Sequence, residues 1–130
     1  MYPASEVMQH CLAHRNLILN ASAVLWRRSA LQAALSRCGP ELDSYSMAGD
    51  WRVYAEMLSQ GGTVAYVAQP LNAHRRHGAS VTGRLPAAQH LDEVSRMQQH
   101  MRTVLGGSPA LVKQQRRALA EARAALRAGR

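Results

Sequence analysis

Phenylalanine is absent from this 130-residue chain, and aromatic residues make up only 5% of it. Platforms on which nucleobases could stack are therefore scarce. Lysine is nearly absent as well: Lys113 is the only one, so the 16 basic residues are almost all arginine. The two cysteines, Cys11 and Cys38, are far apart, and neither sits in a paired metal-ligand spacing. That argues against a disulfide framework and against a zinc module. No apolar run approaches the ~18 residues of a membrane span, and the first residues lack the basic-then-apolar order of a secretory leader. A cytoplasmic protein is the expectation.

Against these absences stands a hydrophobic fraction of 47%, enough to bury a core. The length suits one domain. Only 8 residues are acidic, so the formal charge is +8. From Pro86 onward eight basic residues face Asp92, Glu93 and Glu121, so that segment holds +5 of the +8. Arg116, Arg123, Arg127 and Arg130 recur at helical spacings. A solvated helix face explains them better than nucleic-acid binding, because long like-charge blocks and interleaved aromatics are both missing.

The pattern of apolar residues predicts the elements. Pro3–His14 reads as a helix capped by Ser5, with Val7, Cys11 and His14 on one face. Asn16–Trp26 (NLILNASAVLW) reads as a buried strand. A helix beginning at Arg27-Arg28-Ser29, striped by Leu31, Leu35 and Cys38, should stop at Gly39-Pro40. Asp50–Gln60 is helical, with Trp51, Tyr54, Ala55 and Leu58 on one face and Arg52, Glu56 and Gln60 on the other. Thr63–Gln69 (TVAYVAQ), between Gly61-Gly62 and Pro70, reads as a strand. Leu91, Val94, Met97, Met101 and Leu105 stripe a helix over Ala87–Leu105. A last helix, Ala110–Arg127, carries Val112, Leu119, Ala122 and Leu126, with Ser108 as its cap and Pro109 at its first turn. The expected class is α+β: a small mixed sheet of short strands with flanking helices over residues 1–85, then a two-helix hairpin over 86–130.

Three groups of residues could carry chemistry. Ala48-Gly49-Asp50-Trp51 places a carboxylate where an irregular loop becomes a helix. Asp50 there can cap the helix, which would lower its pKa and keep it ionised, or act as a general base, and one carboxylate can do both. His74-Arg75-Arg76-His77-Gly78-Ala79-Ser80-Val81-Thr82 gathers arginines, histidines and hydroxyls that suit a diphosphate. The alternative is a charged sheet edge that discourages strand pairing. His10 and His14 have the i, i+4 spacing of a metal-binding pair but lack the neighbouring Glu and a third ligand.

In order, Asn20 to Leu31, Ala48-Gly49-Asp50-Trp51, Gly61 to Tyr66 and His74 to Thr82 resemble the C-terminal half of a bacterial family 2 glycosyltransferase domain of the GT-A fold. The likeness spans residues 16–82, and no single motif in it is specific. It implies that Asp50 is the base of an inverting transfer from a nucleotide sugar to a glycan or lipid-linked acceptor, in cell-wall or surface polysaccharide synthesis. It implies Arg76 and His77 at the diphosphate, His77 near a divalent metal (Mg or Mn), and Trp51 and Ser80 against substrate. Core packing is an equal alternative for Trp51. Gly49 stands where the family commonly has Glu, and no Asp-x-Asp occurs. The resemblance therefore implies an acceptor-side part without its nucleotide-binding half, inactive by itself. The other reading is a basic, arginine-rich helical module that binds nucleic acid or an acidic partner without catalysis. A homo-oligomer formed through the tail or the exposed sheet edges is a third possibility.

Overall fold

The computed structural model describes residues 1–18, 20–73 and 85–128. The chain is α+β, with 67% of it helical, so helices rather than a sheet carry the fold. Among the described residues the sheet is one antiparallel ribbon: β1 (Tyr2–Pro3) against β2 (Thr63–Val64), with Tyr2 opposite Val64. Gly61 and Gly62 adopt φ of 86° and 93°, values that L side chains avoid. They let the chain leave the preceding helix and turn at once into β2, where the Gly62 carbonyl accepts from the Ala4 N–H at 3.0 Å.

Pro3, which has no N–H to lose, leads into α1 (Ala4–Val7), and the helix winds on as a wider π-helical stretch over Met8–Leu12. Ser5 does not cap it: Pro3 holds the capping position and no side chain bonds the free amides. The wider turn also moves the buried face, so Met8 and Leu12 enter the core while Cys11 is half-buried.

Asn16–Trp26 is not a strand among the described residues. The Asn16 side chain accepts from the Ile18 N–H at 2.9 Å, and Asn20 accepts from the Ser22 N–H at 3.1 Å, starting a single 3-10 turn, Ala21–Ala23. Asparagine oxygens thus take amide protons that a ladder would need. Trp26 then turns inward and stacks on Tyr54, ring centroids 5.1 Å apart.

Helix α2 (Arg28–Cys38) buries Ala34 and Cys38, whereas Leu35 is exposed. Gly39 ends α2 as expected, turning out of the helix at φ 53°, and a separate 3-10 segment, Gly39–Ser44, follows. Helix α3 (Gly49–Ser59) lies at the centre. Trp51, Tyr54 and Ala55 pack with Met8, Leu12, Met97 and Met101, while Val53 faces Ala34 and Cys38 of α2. Burial on both sides leaves α3 no solvent-exposed residue from Trp51 to Ala55. Arg52, expected in solvent, is 6% exposed, and its guanidinium donates to Glu41 at 3.1 Å and Glu56 at 3.0 Å. β2 keeps two residues of the longer strand expected, and Tyr66 and Val67 are exposed.

The hairpin follows its periodicity closely. Helix α4 spans Ala87–Leu105 and α5 spans Pro109–Arg127. Ser108 caps α5 by accepting from the Leu111 N–H at 3.2 Å. The buried face of α5 is Leu111, Gln115 and Ala118, one residue out of phase with the stripe of Val112 and Leu119, which are half-buried. Gln115 sets this phase. Its amide donates to the carbonyls of Ala13 at 2.7 Å and Gln98 at 2.9 Å, and Gln98 returns the exchange to Gln115 and His14, both at 3.0 Å.

Candidate active-site cleft

A cleft of about 510 Å³ opens where four parts of the chain meet: the exit of the first helix, the start of α3, the first turns of α4 and the second half of α5. Asn16, Asp50 and Trp51 line it from the body, and His90 and Val94 from α4. Ala118, Ala122 and Ala125 give α5 a smooth apolar wall. Arg15 and Glu121, also in the lining, are bridged at 3.3 Å and both well exposed. The hairpin is thus one side of the cleft, and the body is the other.

Asp50 sits in the first turn of α3 but does not cap it. Ala48 occupies the capping position, and no side chain of its own bonds the helix amides. Asp50 Oδ1 instead accepts from the Trp51 N–H at 2.6 Å and, at a longer 3.4 Å, from the Asn16 side-chain amide. Among the described residues no other residue donates to Oδ2. The expected lowering of its pKa is reversed: burial pushes the Asp50 carboxyl up, and the Trp51 and Asp50 backbone N–H groups offset only part of that.

The carboxylate that serves this junction is Glu93, which composition and spacing did not single out. Its Oε1 accepts from the Ser46 N–H, and its Oε2 from the N–H groups of Met47 and Ala48, all at 2.9 Å. Burial pushes its pKa up, yet the bonds from Ala48, Ser46 and Met47 outweigh it and the net shift is downward. Glu93 lies one turn before Met97 and two before Met101, on the row that buries both. That row was the signal available in the sequence.

Trp51 lines the floor of the cleft, but its indole is 2% exposed and its Nε1–H is spent on the Leu12 carbonyl at 3.0 Å. Core packing accounts for it fully. His14 and His90 each keep a buried Nδ1 without a hydrogen-bond partner among the described residues. Burial lowers the His14 pKa, with Arg15 adding to the effect, so its imidazole is neutral near pH 7. Arg76, His77 and Ser80 lie outside the described residues. Among the described residues no three His, Cys, Asp or Glu side chains are placed to hold a metal ion, and no helix is long and apolar enough to cross a membrane.

No protein-family model, no curated protein and no solved structure matches this chain.

Proposed function

We propose that this chain is the acceptor-side part of an inverting glycosyltransferase and that Asp50 is its general base. The observation that supports this most directly is Asp50 itself, a half-buried carboxylate in a cleft, with one oxygen held by the next backbone N–H and the other, among the described residues, without a donor from another residue. Burial raises its basicity, which a base needs in order to accept a proton from a hydroxyl.

In the reaction, an acceptor hydroxyl lies against Asp50 Oδ2. As its oxygen attacks the anomeric carbon of the nucleotide sugar, the O–H proton passes to Asp50. The bond from the anomeric carbon to the diphosphate breaks on the opposite face, and the configuration inverts. Arg76 and His77 are assigned to the departing diphosphate and Ser80 to the sugar. A divalent cation, Mg or Mn, would neutralise charge on that group when bound, although the described residues offer no cluster for it. The rest of the cleft suits a neutral, hydroxyl-bearing acceptor such as a glycan or its lipid-linked form. Asn16 beside Asp50 adds a polar side chain to the lining, and the α5 alanines can cover the C–H face of a sugar ring.

The test is sugar transfer by the chain combined with a nucleotide-binding half, Mg or Mn and a panel of nucleotide sugars. Asp50→Asn should lower transfer on the order of 10²–10⁴-fold. Its thermal midpoint should stay level or rise. A carboxyl with a raised folded pKa is stabilising only while protonated, so the ionised form costs stability at neutral pH. Transfer that survives Asp50→Asn removes the base assignment.

A further inference from the structure

Glu93 is the one buried carboxylate of the described residues, 1% exposed, and it comes from a different helix than the loop it serves. Three consecutive amides, Ser46 to Ala48, converge on it immediately before α3 begins. Such a run of N–H groups makes a concave anion seat, and the positive end of α3 lies directly behind it. The arrangement supplies from outside what Ala48 cannot supply from its own side chain. Neighbouring residues of α4 hold the same turn: Gln89 donates to Ser46 Oγ at 2.9 Å, and Arg96 donates to Ser44 Oγ at 2.7 Å and covers the Tyr45 ring at 4.3 Å.

We infer that Glu93 is a positioning residue for Asp50: its carboxylate, seated on the Ser46, Met47 and Ala48 amides, fixes the turn from which α3 and its Asp50 enter the cleft. The role rests on the reading of Asp50 as the base. It requires a carboxylate rather than any buried polar group. Three donors meet two oxygens that are acceptors only, whereas a glutamine would turn its own N–H groups toward at least one of those donors. Asp50 is two residues beyond Ala48, so a shift of the turn is carried directly to the base, and a misplacement of about 1 Å can cost on the order of 10²-fold in rate.

Glu93→Gln in the transfer-competent protein tests this. Expected are a fall in kcat on the order of 10²-fold, a KM for the nucleotide sugar close to that of the parent, and a displaced titration of the Asp50 side-chain carboxyl by ¹³C NMR. The Ser46, Met47 and Ala48 amide resonances should move with it. Met101→Ala, which weakens the same helix from its far end, should change none of these below its unfolding temperature. Unchanged kcat in folded Glu93→Gln overturns the inference, as does an Asp50 titration left where it was. If Glu93→Gln does not fold, Glu93→Asp carries the test. It keeps the charge but draws it back from the amides, and parental kcat in that variant is equally fatal. Failure of the base reading is separate: it appears as transfer surviving Asp50→Asn, while the NMR comparison scores Glu93 without any transfer.

Discussion

Residues 45–48 and the described residues of 16–26 both link helices and both mix small and polar side chains, yet they are held in opposite ways. In the first, backbone amides are satisfied by a carboxylate 45 to 47 residues away in sequence. In the second, the Ile18 and Ser22 amides are satisfied by asparagines two residues away. A loop closed by its own side chains has its turns set locally, and Leu25 stays outside while Ile18, Val24 and Trp26 pack on the core. A loop closed from another helix takes its shape only when that helix is docked. In return, the closing group can be buried, where its bonds are strong and its geometry narrow.

The largest effect should follow from breaking the long-range closure. Glu93→Leu takes the acceptor from three N–H groups, that of Ala48 buried, and should cost about 3 kcal/mol, read as a fall in the thermal midpoint. This difference should also depend on pH. The folded pKa of Glu93 lies below its ordinary value of 4.5, so its contribution is complete above that value and fades as pH falls through the folded pKa. The gap between parent and variant should therefore narrow below about pH 4.5.

Breaking the local closure should do less. Asn20→Ala removes the cap of one short 3-10 turn and should cost about 1 kcal/mol, with no change in the amide resonances of residues 46–48. Smallest of all, Leu25→Ser alters a side chain with no burial to lose and should stay within about 0.5 kcal/mol of the parent. A large loss there would mean that the 16–26 segment is held by more than its asparagines.

The same contrast explains what could be read in the sequence. Helix α4 runs from Ala87 to Leu105 as its 3.6-residue stripe requires, and Ser108 and Pro109 start α5 as expected, because caps and stripes act between near neighbours. Asp50 was legible as a carboxylate at a loop–helix junction. Its partners were not, since a raised pKa depends on what buries it. Asn16–Trp26 has the composition of a strand, but composition does not reveal that Asn16 and Asn20 spend their oxygens on adjacent amides. Glu93, Gln98 and Gln115 were the least visible. Each is an ordinary polar helix residue until the backbone it serves is brought up from far along the chain.

The paired glutamines also set an order of events. The carbonyls of Ala13 and His14, at the exit of the first helix, are met by side chains 102 and 84 residues later. During synthesis the His14 carbonyl must remain bonded to water until Gln98 of α4 has emerged, and the Ala13 carbonyl until Gln115 of α5 has followed. Closing so long a loop is slow, so the Ala4–Leu12 helix is made well before its exit is finished. The cleft beside it takes form only when α4 and α5 dock there.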